Sequence, residues 1–528
     1  MISRRLLLGA AAAAPLLYHR AFADTPRDTI VMAKRIDDII SLDPQEAFEY
    51  SGTEISGNVY EKLVTPDDEN PTEIRPTLAE SWSTSPDGKT WTFKMRGDRK
   101  FASGGPVTAE DAAFSLQRAV ILNKSPGFII AQFGFDKANV AQRIRATDPH
   151  TLVIEIAERQ APTFLLYCLS AAVGGVVEKK VVLSHEQNGD MGNGWLKTNS
   201  AGSGPFVVRS ARASELVALD ANPNHPRTGK LKRIIIRHVA DPSVQLLLLQ
   251  RGDADVARDL LPEQLAVARS NPELTVTPRP KASVMYISMN TKHPALAKPE
   301  VREAIRWAID YQGIETNLVK DTFTVHQAFL PNGFPAALTD NPFRFDPAKA
   351  RALLAEAGYA DGLELTFDHA SSSPRAEIAQ ALQAQFRQVG IKLNLLAGEG
   401  RQVLTKIRAR QHELAVALWG SDYFDPHSNA QTFCENTDNS DASKNRTTAW
   451  QTGWQDKELT AETQAAVREE DAGKRVAMYQ RMQRELQKRG PFAIMLQEVG
   501  TVVMRKPATG LVQGPLSDRT VYARMSKG

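Results

Sequence analysis

Cysteine is nearly missing: Cys168 and Cys434 are the only two in 528 residues. That excludes a disulfide scaffold and any zinc cluster built from cysteine alone. Long apolar runs are scarce as well. Leu6–Leu17 is a run of 12, short of the roughly 20 residues that a membrane helix needs. Net charge almost vanishes, with 64 Lys and Arg against 61 Asp and Glu. Arg4, Arg5 and Arg20 account for the excess, because residues 1–23 hold no acid, so residues 24–528 are neutral. A neutral chain without a basic block is not the pattern of a nucleic-acid partner. Short-spaced zinc signatures (HExxH, CxxC) are absent. Gly88-Lys89-Thr90 has Ser83 where a phosphate loop needs glycine, and Pro86-Asp87-Gly88 reads as a turn. Gly398-Glu399-Gly400 lacks the third glycine of a dinucleotide fingerprint, and Gly202-Ser203-Gly204 is no nucleophile elbow. The ten histidines are scattered, and the pairs Asp37-Asp38 and Asp67-Asp68 sit in turn-like surroundings. No catalytic residue, metal or cofactor is expected.

What is present begins with an address. Arg4-Arg5 precedes the apolar run, and Ala21-Phe22-Ala23 offers small residues to a signal peptidase, with cleavage before Asp24. The arginine pair resembles a twin-arginine export signal, although general secretory signals also carry such pairs. No cysteine follows the run to take a lipid, and no second run of spanning length occurs. The expectation is a soluble protein in the periplasm of a Gram-negative bacterium. In that oxidising compartment Cys168 and Cys434, 266 positions apart, either tie two lobes together or stay as inert thiols.

The remaining chain reads as dense mixed α/β structure. Trp91, Phe93 and Met95 alternate with polar neighbours, as do Leu152, Ile154 and Ile156, the period of half-buried strands. Leu231–Val239, Val284–Asn290, Ala493–Val499 and Thr501–Met504 read as further strands. Thr108 and Asp111 form a capping-box start, and Asp241-Pro242 and Asp346-Pro347 open helices closed by Gly252 and Gly358. Ile378, Leu382, Phe386 and Val389 make a helical stripe before Gly390 and the alternating Ile391, Leu393 and Leu395, an order that suits a parallel sheet covered by helices. Glu458–Arg489 reads as helix with a break at Gly473.

Several segments resemble the family 5 extracellular solute-binding proteins of ABC importers, the group of dipeptide- and oligopeptide-binding proteins. They are Ser41-Leu42-Asp43-Pro44, Asn58–Val64, Leu78–Trp82, Asp87–Phe93, Val107–Asp111, Gly202–Phe206, Val301–Asp310, Leu353–Tyr359 and Trp419–Pro426, in the family's order. The resemblance implies a two-lobed periplasmic binding protein fold (α/β, type II, the large peptide-binder subclass) with an extra subdomain inserted in lobe I. Lobe I would comprise 24–70, 193–281 and 493–528, the inserted subdomain 71–192, and lobe II 282–492. The chain would cross between lobes near Pro280–Ser283 and Gly490–Ala493, and ligand contacts made to both lobes only in the closed state would drive closure.

The resemblance also carries a site. In peptide-binding members, an Asp after the Trp of the lobe II motif pairs with the peptide's ammonium, and here that position is Asp422. A carboxylate alone in a water-poor cleft is costly, and a ligand cation supplies its partner; the same carboxylate would alternatively cap the turn before Asp425-Pro426. Leu418, Trp419 and Gly420 would offer backbone groups to an extended ligand, with Trp419 in the pocket wall or the core. Tyr50, Ser51 and Gly52 would contribute from the other lobe. The dipeptide-binding branch keeps an Arg for the ligand carboxylate where this chain has His369, which pairs only when protonated; Arg375 or Arg401 would substitute. The function implied is a non-catalytic, monomeric receptor that delivers peptides or peptide-like solutes to an ABC permease. The rivals are the same fold binding a metal chelate, an opine or an oligosaccharide, and, in another class, an exported enzyme.

Overall fold

The computed structural model describes residues 25–67, 70–226, 229, 231–443 and 445–528; the export signal expected over 1–23 lies outside them. Two long strands organise the molecule. Leu274–Met289 and Phe492–Arg505 run antiparallel, from Leu274 opposite Arg505 to Ser288 opposite Phe492, and join the two halves of one 11-stranded sheet. In the first half, Thr29–Lys34 lies between the parallel strands Arg233–His238 and Val256–Ala257. Leu216–Ala221 and Phe206–Arg212 extend that side antiparallel. In the second half, Leu363–Ala370 lies between the parallel strands Ile391–Gly398 and Leu414–Gly420. The register slips between Pro280 and Val284, where the halves meet.

The sequence pattern started the first long strand at Val284 and split the last one in two; both are continuous. Prolines hid the first. Pro278 and Pro280 pair on one side only, opposite Thr501 and Val499, so their missing N–H groups fall on a free edge. Gly500 hid the second. It pairs with Arg279, and a Cβ there would stand 2.4 Å from the Gln513 side chain and 2.7 Å from that of Lys281. The helix break is likewise shifted. Lys457–Ala466 and Ala472–Arg489 are separate helices, and Gly473 lies inside the second because the Asp471 side chain caps it by accepting from the Lys474 N–H.

The inserted segment builds its own four-stranded antiparallel sheet from Ala79–Thr84, Thr90–Met95, Thr151–Glu155 and Ile144–Asp148. Trp91, Phe93 and Met95 face its core with Leu152 and Ile154, as their alternation predicts. Thr108 and Asp111 form the reciprocal capping box of the helix Ala109–Leu122 that covers the sheet. This core also takes in Tyr423 and Val467 from far along the chain. Beside them, the Ala161 N–H donates to the Val467 carbonyl, Glu158 pairs with Arg468 at 2.7 Å, and Arg159 pairs with Glu470. Cys168 and Cys434 are both buried, and neither is in a disulfide. Among the described residues, no helix is long and apolar enough to cross a membrane.

Candidate functional site

A cleft of about 290 Å3 opens where the sheet halves meet. The helix Tyr50–Val59 and its approach contribute Phe48, Tyr50 and Thr53; the inserted unit contributes Pro126, Ile129 and Ala171–Val173. Lys281–Ser283 lie at the junction, and the second half adds Ala417–Asp422 with Leu404, Ile407 and Arg408.

The cleft contains an open strand edge. Leu414–Gly420 pairs with Ser283–Met289 along its whole length. On its other side, among the described residues, only Leu414 and Ala415 find partners, at Phe367 and Asp368. The Ser421 N–H donates to the Ala282 carbonyl and the Asn290 N–H to the Glu413 carbonyl. Because antiparallel ladders alternate, these bonds put the backbone groups of Leu418 and Gly420 on the open edge and those of Trp419 on the paired one. The Trp419 side chain packs edge-on to Phe433, and its Nε1 is buried without a hydrogen-bond partner among the described residues. Gly420 is required for a different reason: a Cβ there would lie 2.4 Å from the Tyr50 hydroxyl, so the missing side chain lets the opposite wall close onto the strand.

Past Gly420 the chain turns, and its hydrogen bonds aim the Asp422 carboxylate. The Asp422 N–H donates to Ser428 Oγ at 2.9 Å, and Ser421 Oγ donates to Asn429 Oδ1 at 2.7 Å, tying the turn to the helix His427–Cys434. Capping belongs to Asp425, whose Oδ1 accepts from the His427 N–H. The Asp422 carboxylate is left facing the cleft, part-exposed to its water, with no hydrogen bond or ion pair from any described residue. Burial pushes its pKa up to about 7, and no cation offsets that. The Tyr50 side chain is half-exposed, but its hydroxyl end lies against Gly420 in the cleft wall, where burial first and then the charge of Glu498 push the phenol up to about 12. Glu498 itself holds Lys281 at 2.8 Å. Beneath the cleft, burial pushes the Cys168 thiol well above its ordinary value, so it stays protonated.

The structure therefore gathers Tyr50, Leu418, Trp419, Gly420 and Asp422 around one cavity. The other four expected residues lie elsewhere. Ser51 is buried, its N–H donating to Asp38 Oδ2, and Gly52 packs against the Ser41 carbonyl. His369 shares the strand Leu363–Ala370 with Leu365 and Phe367 and points to their side, its Nδ1 beside the Ala370 carbonyl. Arg401 is exposed in the first turn of the helix Gly400–Arg408, outside the lining. Arg375 is also outside it, half-buried near Glu498 and Tyr50, with its Nε lacking a partner among the described residues. Arg408 was missed. Leu404, Ile407 and Arg408 stand at i, i+3 and i+4, one helical face, so the periodicity was there to be read. Among the described residues, no three His, Cys, Asp or Glu side chains gather as a metal site would require.

The profile of bacterial extracellular solute-binding proteins, family 5 Middle, matches residues 73–441. A probable D,D-dipeptide-binding periplasmic protein of Escherichia coli K12 is 26% identical over 505 residues, covering 94% of each chain. The solved structure of a periplasmic binding protein of Helicobacter pylori in complex with the peptide STSA superposes with a TM-score of 0.79. It is 23% identical and covers 94% of this chain and 98% of its own. A binding protein of A. tumefaciens R10 in complex with mannopinic acid superposes at 0.78, with 24% identity and 95% and 100% coverage. The shared architecture is the two-lobed periplasmic binding protein fold. On the strength of a match that spans most of its length, the chain belongs to family 5 of the bacterial extracellular solute-binding proteins.

Proposed function

We propose that this chain is the periplasmic substrate-binding component of an ABC importer, and that it captures short peptides by their ammonium group. One observation carries the reading: Asp422 is a carboxylate in the cleft with no cation beside it among the described residues. A buried charge is retained where something pairs with it, and a peptide's α-ammonium is that partner. The open edge at Leu418 and Gly420 accepts the peptide backbone as an added strand, which favours breadth over side-chain specificity. The part played is that of a receptor, not an enzyme, and a monomer suffices for it. Two-lobe closure pivots on the two long strands, at Pro280–Val284 and at Gln497–Gly500 opposite them, where the register slips. That puts the second crossing later than the sequence-based expectation of Gly490–Ala493, because Ala493–Gln497 pair within the second half.

A second reading is an opine or another small zwitterion on the same fold. It is favoured by the position of His369, which leaves the expected carboxylate partner of a dipeptide absent from the cleft lining. Mass spectrometry of solutes released from gently purified protein tests both. Peptides of two to a few residues are the expected finding, and an opine or chelate in their place overturns the peptide reading.

A further inference from the structure

The turn that carries Asp422 has a back as well as a front. Asp422 lines the cleft, whereas the next residue, Tyr423, is 1% exposed and packs into the core of the inserted unit. The helix Pro162–Ser170 of that unit receives the turn. The Phe164 ring stands edge-on to Tyr423 at 5.9 Å and to His427 at 5.2 Å, and the Tyr167 ring stands edge-on to Phe424 at 5.7 Å. Arg475, which grips Asp425 in the same turn, also donates to Thr163 Oγ1 at 3.4 Å. At the entrance to the helix the Ala161 N–H donates to the Val467 carbonyl, with the pairs Glu158–Arg468 and Arg159–Glu470 beside it. None of Glu158, Arg159, Phe164 and Tyr167 lines the cleft.

The inserted unit is fixed to the other half of the molecule. Arg118, on the helix Ala109–Leu122, holds Asp43 at 2.7 and 2.6 Å with neither side chain exposed. Gln45 Nε2 donates to the Val173 and Gly175 carbonyls at 3.0 and 2.9 Å. The aromatic contacts therefore join parts on opposite sides of the pivot at Pro280–Val284. Resting on that pivot, and on no particular ligand, we infer that the inserted unit is a clasp: it docks on the back of the Asp422 turn as the lobes close, and Glu158 and Phe164 are positioning residues that raise affinity without touching ligand. Two opposed effects then meet in one turn. Closure seats Tyr423, Phe424 and His427 against the clasp, which is favourable because apolar area is buried and edge-on aromatic pairs add to it. Closure also withdraws the Asp422 carboxylate from bulk water, which is unfavourable until a cation arrives. The empty lobes thus keep their freedom to open, and a ligand that completes Asp422 leaves the gain at the clasp unopposed. A permanently docked inserted unit would be packing alone, and its loss would show in stability and not in ligand release.

A charge-swap cycle on the full chain, with trialanine as the probe, tests the clasp at its rim. Glu158 and Arg468 are 62% and 51% exposed, so neither substitution puts the fold at risk. Glu158→Arg and Arg468→Glu each set like charges across the contact, and each should weaken trialanine binding about fivefold, through faster release with association unchanged. The variant carrying both substitutions should bind as the native chain does, and none of the three should change the melting temperature. Phe164→Leu, which keeps the site apolar and removes the ring, should cost about tenfold. In the ligand-free protein, hydrogen exchange at the Ala161 amide, whose N–H bonds across the contact, should quicken in each single charge variant and return in the double one. Single variants that release trialanine and exchange as the native chain does overturn the clasp, as does a melting temperature that falls with release unchanged. A native chain that does not bind trialanine overturns the peptide reading alone, and the clasp then stands or falls by the Ala161 exchange.

Discussion

Asp422 and Asp425 lie three positions apart in one turn, and the fold treats them oppositely. Asp425 is fully buried, and Arg475 grips it with two bonds, of 2.9 and 2.7 Å, while the His427 N–H donates to the same carboxylate. Asp422 has no partner for its carboxylate among the described residues and looks into the cleft. Two other deeply buried carboxylates follow Asp425. Asp43 is held by Arg118 at 2.7 and 2.6 Å with Asn193 beside it, and Glu54 lies between Lys34, Arg258 and the Tyr522 hydroxyl. The cations around Glu54 hold its pKa down at about 2 in spite of burial. A carboxylate completed by its own chain serves stability; one left incomplete, in a wall that closes, serves whatever arrives to complete it.

The sharpest way to break the contrast is to exchange the costs. Asp425→Ala leaves the buried Arg475 guanidinium without its counter-ion, with only the Ala466 carbonyl and the Thr163 and Tyr479 hydroxyls to accept from it, and loss of one partner of a buried pair costs about 3–5 kcal/mol. Chemical denaturation should show that loss with or without peptide. Asp422→Asn should not destabilise the fold and should instead cost about 2–3 kcal/mol of peptide affinity, roughly 30- to 150-fold, read by calorimetry. If Asp422→Asn destabilises the fold as much as Asp425→Ala does, the two carboxylates are not different in kind. A smaller effect belongs to the opposite wall. In Gly420→Ala the added methyl meets the Tyr50 hydroxyl, and since Tyr50 is half-exposed and can swing aside, the expected cost is about 1 kcal/mol, some fivefold in affinity. Pairing it with Tyr50→Ala should remove the additional penalty in a double-mutant cycle.

Much of this was legible beforehand, and the failures have physical causes. The strands around Trp91 and Leu152 and the helix starts at Thr108, Asp241 and Asp346 were legible because alternation and capping are local patterns. The two long strands were not, since Pro278, Pro280 and Gly500 look like punctuation until their neighbours across the sheet are known. Asp422 and the strand before it were legible through the motif Trp419–Pro426. Ser51 and Gly52 were placed in the cleft only because they neighbour Tyr50, whose helix turns them inward. His369 was expected at the far end because an ungapped match fixes sequence position but not which face of the strand a side chain takes. Arg408 was missed although it shares a helical face with Leu404 and Ile407, because only the course of that helix along the cavity shows which face lines it.

The finest test of the contrast uses protons. In the ligand-free protein the pKa of Asp422 is raised to about 7, whereas in an unfolded chain it is about 3.9. Below about pH 4 the group is protonated in both states and contributes nothing. As the pH rises toward 7, the unfolded chain releases the proton that the folded cleft retains, so stability falls, and above about 7 the loss is complete. Cleft water reaches the carboxylate, and the lobes have a cheaper escape than unfolding, which is to open and hydrate it. Together these hold the loss to the order of 1 kcal/mol. The difference in melting temperature between Asp422→Asn and the native protein should therefore grow from pH 4 to pH 7 and then level off. Saturating peptide should abolish the growth, because its ammonium replaces the proton, and affinity should weaken as the pH drops below 7. Asp425→Asn should show no such peptide-dependent profile, since Arg475 stays in place whether the cleft is filled or empty. A pH profile that peptide leaves untouched would mean that Asp422 answers to the fold and not to the ligand.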